Sequence, residues 1–137
     1  MEHFDTLRKV TAEFFGTAFL LAAVIGSGIM GENLSPSNPG VALLANTAAT
    51  GAILAVLILI FSPISGAHFN PAVTLAFLIR REIRPGLAIV FISTQISAAI
   101  FGAVVAHFMF NAPLLEASTH IRTGPGQWVA EVVATFG

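Results

Sequence analysis

Few residues in this chain are equipped for bond-making chemistry. There is no cysteine among its 137 residues, so neither a disulfide framework nor a thiolate metal site exists. The histidines His3, His68, His107 and His120 are scattered, with no metal-ligand spacing. Ser27, in Gly26-Ser27-Gly28, would become a nucleophile if His68 or His107 paired with it, as in an intramembrane serine hydrolase. The plainer reading of Ser27 is a small residue that lets two helices approach. The stretch Ser65-Gly66-Ala67-His68-Phe69-Asn70-Pro71-Ala72-Val73-Thr74 is more informative.

The elements around that stretch follow from its turn residues. Gly66 breaks a helix arriving from the N-terminal side. Asn70 caps a new helix, and Pro71 suits the first helical position because its missing N–H is not needed there. The new helix, Pro71 to about Arg80, is roughly 15 Å long, about half of a bilayer's ~30 Å hydrocarbon core. It lies in a run from Asn33 to Ile79 without Asp, Glu, Lys or Arg, and it exits through Arg80-Arg81. Unpaired backbone at membrane depth is tolerated only where protein or a wet cavity covers it. The positive end of such a half-helix would point at the midplane, which is the signature of a pore. A kinked Asn-Pro turn in a packed apolar core is the alternative, but it requires neither the basic exit nor the apolar flanks.

Composition names the solvent. The chain is 55% apolar and 9% charged, with a mean hydropathy of +0.86, whereas roughly a quarter of residues carry charge in soluble domains. A formal net charge of −1 offers no basic surface for nucleic acid. Spans are expected at Val10 to Met30, Val41 to Phe61 and Gly86 to Phe110, the first being retained rather than cleaved as a signal peptide. Gly31 to Gly40 reads as a loop, and Ser62 to Phe69 as an irregular descent that could cover about 25 Å if extended. Asn111 to Gly126 reads as a polar loop, and Gln127 to Gly137 as an apolar segment too short to cross. Arg8, Lys9, Arg80, Arg81 and Arg84 then share one side with Arg122 on the other, which predicts a cytoplasmic N-terminus. Ala12-Glu13-Phe14-Phe15-Gly16-Thr17 is echoed by Ala130-Glu131-Val132-Val133-Ala134-Thr135. An odd number of spans separates the two, as in an inverted repeat.

With these residues in order, the chain resembles the aquaporin and aquaglyceroporin family, the major intrinsic proteins. The resemblance rests on Ala12-Glu13-Phe14-x-Gly16-Thr17, the stretch Ser65 to Thr74, Gln95, Gly102, and Glu131 with Thr135. It covers nearly the whole chain but only the N-terminal half of a family member. A second Asn-Pro-Ala half-helix and the last two spans have no counterpart here. The resemblance implies an all-α membrane fold: a half-barrel of three transmembrane helices, one re-entrant half-helix and the start of a fourth span. It implies a single incomplete membrane domain over 1–137, with a first repeat at 10–110, a loop at 111–126 and the start of a second repeat at 127–137. It further implies a channel for water or small neutral solutes, without cofactor or metal, homotetrameric at full length, in a bacterial plasma membrane.

Residue by residue, the resemblance makes Asn70 the amide offered to a solute, with Pro71 and Ala72 completing the motif. The carbonyls of Gly66, Ala67, His68 and Phe69 become an acceptor ladder on the cytoplasmic side. Glu13 reads either as a carboxylate that snorkels to water or as an inward acid accepting backbone N–H bonds. By resemblance it would brace the loop of the second repeat, with Glu131 bracing the loop present here and Thr17 supporting. Gln95 is a loop brace or, equally, a helix–helix hydrogen bond. Thr50, twenty residues before Asn70, holds a constriction position usually occupied by Phe or Trp. A small hydroxyl there implies a wider, more polar passage suited to glycerol-like polyols or uncharged metalloid hydroxides. The rival within the same family is a non-conducting fragment or a half-subunit that needs a complementary chain.

Overall fold

The structure, a computed structural model, describes residues 5–114 and 123–136. His3, His120, Arg122, residues 115–122 of the loop at 111–126 and the side chain of Thr135 lie outside the described residues. Among the described residues five helices follow one another: α1 (Thr6–Leu34), α2 (Pro39–Ser65), α3 (Pro71–Ile79), α4 (Pro85–Met109) and α5 (Pro125–Phe136). Among the described residues there is no strand. Local chemistry sets the starts. Asp5 accepts from the Arg8 amide at 2.8 Å, Asn38 from Val41 at 3.2 Å and Asn70 from Ala72 at 2.8 Å. Each of α2 to α5 opens on a proline, where the missing N–H leaves nothing unpaired.

Helices α1, α2 and α4 are 29, 27 and 25 residues long and apolar enough to cross a membrane. At about 1.5 Å per residue each exceeds the ~30 Å hydrocarbon core. The chain is an all-helical integral membrane protein. Helix α1 is central, packed against α2 on one side and α4 on the other, and α3 lies against α4. Lipid tails give helices no hydrophobic reason to associate, so close contact of small residues has to hold them. Ala88, Ala98 and Ala106 of α4 are buried. At Gly102 a Cβ would overlap the Ala18 carbonyl of α1, so the two backbones touch there. The large apolar side chains face outward instead: Leu54, Val56, Leu59 and Ile60 on α2, and Ile89, Ile96 and Ile100 on α4.

Several expected boundaries move. Helix α1 extends about one turn beyond each end of Val10 to Met30, which shortens the expected Gly31 to Gly40 loop to residues 35–38. Helix α2 does not stop at Phe61. It runs through Pro63 to Ser65, so the irregular descent over Ser62 to Phe69 shrinks to residues 66–69. Pro63 removes one N–H from the ladder, yet in an apolar solvent every remaining backbone pair is worth keeping, and the helix persists until a left-handed residue ends it. That residue is Gly66, with φ of 95° and its N–H on the Ser62 carbonyl at 3.1 Å. The short helix ends at Ile79 with Arg80 as its cap, and α4 matches its expected bounds within one residue. Helix α5 begins at Pro125, two residues before expected, and among the described residues it packs against no other helix.

Candidate functional site

Four residues, 66 to 69, connect the end of α2 to the Asn70 cap of α3, and their conformation is unusual. Gly66, Ala67 and Phe69 all have positive φ, at 95°, 53° and 50°. Left-handed backbone at non-glycine residues costs free energy and persists only where surrounding structure holds it. What holds it is Glu13 of α1, which is completely buried. Its Oε1 accepts from Ser65 Oγ at 2.6 Å and from the His68 amide at 3.0 Å. Its Oε2 accepts from the Phe69 amide at 2.7 Å and from Gln95 Nε2 at 2.8 Å. Ser65 Oγ in turn accepts from the Ala67 amide at 3.1 Å. One acceptor-only side chain therefore satisfies the inward N–H groups of the loop directly or through one hydroxyl.

A second layer ties the loop to α3 and α4. Gln95 Nε2 also donates to Thr74 Oγ1 at 2.9 Å, and His68 Nδ1 lies 3.0 Å from the same oxygen. The His68 ring packs on Phe77 at 4.5 Å between centroids and edge-on against Phe91 at 5.5 Å. Phe69 packs edge-to-face on Phe61 of α2 and occupies the space over Gly16, where any Cβ would run into its ring. Loop, short helix and three long helices thus meet at one buried polar cluster.

The loop's outward groups are left available. Among the described residues, the carbonyl oxygens of Gly66, Ala67, His68 and Phe69 accept no hydrogen bond. Asn70 is exposed and spends its Oδ1 on the Ala72 amide, so its Nδ2 is the group it can offer as a donor. Pro71 is half-buried and Ala72 exposed, at the start of α3. Thr50 sits partway along α2, half-buried, with its hydroxyl on Asn46 Oδ1 at 3.3 Å.

Two expectations are corrected. Glu13 does not reach for some other loop while Glu131 braces this one: Glu13 itself holds residues 65–69, because α1 passes directly behind them. Glu131 lies in α5, apart from the cluster. The serine-hydrolase pairing also fails. Ser27 Oγ donates to the Val24 carbonyl at 3.3 Å, His68 is engaged with Thr74, and His107 Nδ1 donates to the Pro113 carbonyl at 2.6 Å. Thr17 is buried beside Glu13 on α1, and its hydroxyl has no hydrogen-bond partner among the described residues. Sequence reading overlooked Ser65, Thr74 and the His68 ring as parts of the brace. Their only signal was membership of the Ser65 to Thr74 stretch, since side-chain direction in a left-handed loop does not follow from residue order.

Three long apolar helices around a buried carboxylate that pins an irregular loop and a short capped helix define a polytopic membrane protein. A family profile described as "Major intrinsic protein" matches residues 1–137. The chain belongs to that family, whose aquaporins and aquaglyceroporins are channels and not enzymes. It is 48% identical over 137 residues to the aquaglyceroporin AqpS of Rhizobium meliloti (strain 1021), covering 100% of this chain and 58% of that protein. It is 38% identical over 104 residues to the lens fiber major intrinsic protein of Lithobates pipiens, covering 76% of this chain and 38% of that one. Nodulin-26 of Glycine max is 31% identical over 138 residues, covering 95% of this chain and 48% of its own length. The chain thus spans 58% or less of the length of these relatives.

Proposed function

We propose that residues 1–137 supply one half of the wall of a channel for passive movement of water and small neutral solutes, with glycerol-like polyols and uncharged metalloid hydroxides as the preferred class. In this reading α3 is a re-entrant half-helix. It starts near the bilayer midplane at Asn70 and returns through Arg80, Arg81 and Arg84 to the side that carries the N-terminus, the cytoplasm. The observation that carries the reading is the division of labour in the loop. Inward N–H groups are satisfied by Glu13, while the carbonyls of residues 66–69 and the Asn70 Nδ2 remain for a solute. Solutes that cross must exchange water for such groups one at a time. The half-helix dipole puts positive potential at the Asn70 end, which disfavours cations and protons.

Thr50 in place of a large ring supports a passage wide and polar enough for polyols. A homotetramer in a bacterial plasma membrane is the assembly that fits this reading. One half-helix leaves the opposite wall open, so conduction requires a complementary half, from further chain or from a second polypeptide. The test is stopped-flow light scattering on liposomes. Liposomes holding only residues 1–137 should show water and glycerol flux at the lipid background. A chimaera of these residues with the C-terminal remainder of aquaglyceroporin AqpS should carry both. A chimaera that inserts but conducts neither overturns the channel reading, and rapid flux through the chain alone overturns the need for a second half.

A further inference from the structure

Asn46 is a polar side chain in an uncharged span, and both ends of its amide are spoken for. Its Nδ2 crosses the interface to donate to the Val24 carbonyl of α1 at 3.0 Å, an oxygen that also receives Ser27 Oγ at 3.3 Å. Its Oδ1 accepts from Thr50 Oγ1, one helical turn on, at 3.3 Å. The donor bond to Val24 fixes the amide's orientation, because a flipped amide would set oxygen against carbonyl oxygen. The crossing depends on a glycine. At Gly28 of α1 a Cβ would lie 2.8 Å from Asn46 Nδ2, so any larger residue there pushes the amide out of reach. At Gly51, the next residue, a Cβ would meet nothing within 4 Å.

We infer that Asn46 is a positioning residue that commits the single hydroxyl proton of Thr50 to Asn46 Oδ1, turning Thr50 Oγ1 into an acceptor for solutes that donate O–H groups. The inference rests on the proposed function, in which Thr50 faces the solute path. A threonine hydroxyl free to rotate offers a donor or an acceptor at equal cost, whereas one tied to a fixed acceptor offers only lone pairs. Asn70 is committed in the opposite sense, with Oδ1 occupied and Nδ2 available. The path then presents an acceptor at one level and a donor at another. A polyol or a neutral polyhydroxide satisfies both with any of its hydroxyls, while a carbonyl solute without an O–H or N–H group meets an unfriendly oxygen at Thr50.

The test uses the chimaera with aquaglyceroporin AqpS in proteoliposomes, with glycerol and water permeability measured separately. Thr50→Val should lower the glycerol-to-water ratio about three- to tenfold, the range of one net hydrogen bond, and Asn46→Leu should lower it by less, about twofold, because the freed hydroxyl can still accept. The double variant should match Thr50→Val, because without the hydroxyl Asn46 has nothing to position. Additive effects, or an Asn46→Leu variant that lowers water and glycerol in parallel, would overturn the inference and leave Asn46 as a helix clamp only. Should Asn46→Leu fail to insert, the bond is read in the unsubstituted chain in bilayers. There, Thr50→Val should move the Asn46 side-chain amide resonances in solid-state NMR spectra, and unmoved resonances would refute the Thr50 contact. An unsubstituted chimaera that conducts nothing counts against the channel reading, and the amide resonances still decide the Asn46–Thr50 bond.

Discussion

Glu13 is the residue on which the left-handed loop depends. Removing its carboxylate orphans the His68 and Phe69 amides and the Ser65 hydroxyl proton together, and leaves Gln95 Nε2 only its bond to Thr74. Each buried donor left unpaired costs about 1–3 kcal/mol, so Glu13→Ala should lower stability by roughly 3 kcal/mol or more. Thermal unfolding in detergent, followed by circular dichroism, should show a large drop in Tm. A shift within about 2 °C, the size expected of a neutral surface change, would mean that the loop holds its shape by itself. Gly16→Ala acts from the other side of the same loop, by driving a methyl into the Phe69 ring. Overpacking of this kind typically costs about 1–3 kcal/mol. Gly16→Ala combined with Phe69→Leu should recover part of that loss. That Glu13 is important was legible from a lone acid in the expected span Val10 to Met30. Which loop it serves was not, because the answer depends on which segment α1 passes behind.

The short helix α3 is held more by its ends and its one neighbour than by its own propensity, since an isolated helix of nine residues is marginal in water. Asn70 caps it and Thr74 anchors it to Gln95 of α4. Asn70→Ala should cost about 1 kcal/mol of cap energy and remove the exposed donor. In the chimaera it should reduce flux more than it reduces stability, while Asn70→Asp should retain the cap and lose the donor. Flux lost in Asn70→Ala but kept in Asn70→Asp would implicate folding, not the amide. Pro63, by contrast, sits in the last turn of a helix that continues past it. Pro63→Ala returns an N–H to the ladder and should leave stability unchanged or slightly raised. The end of α2 was misjudged from sequence because proline was weighed as a breaker, whereas in a hydrocarbon solvent the remaining backbone bonds outweigh its local penalty. The start of α3 was legible from Pro71 at the first position, whereas α2 and α4 were expected at Val41 and Gly86, two residues and one residue after the prolines that open them.

At the scale of the molecule, the start of α1 and the turn before α4 occupy the same end. Thr6, Lys9, Glu82, Arg84 and Gly86 line a single cavity of about 680 Å³ there, with Ser65 and His68 at its inner wall. The proposed topology makes that end cytoplasmic. Residues 1–137 include no cysteine, so Thr6→Cys and Glu82→Cys each give one clean thiol in this chain. In right-side-out vesicles both should resist a membrane-impermeant maleimide, and in inverted vesicles both should react. Opposite labelling of the two positions would break the re-entrant assignment of α3. The same end view explains why α1 is central: it alone touches both long neighbours while its Glu13 reaches the loop between them.

The order of residues by itself determined the solvent, the number and rough extent of the crossings, the capped short helix and the family. Each of these depends on local composition and spacing, which survive without coordinates. Tertiary structure alone decided how the crossings share the loop. The pairing of Glu13 with residues 65–69, the overlap of Phe69 with Gly16 and the bridge from Asn46 to Val24 join positions dozens of residues apart or on different helices. Such contacts are set by helix rotation and crossing point, and in lipid those are chosen by where small residues let backbones touch and where buried polar groups find each other. That physical choice is made among all the helices at once, so no single stretch of the chain records it.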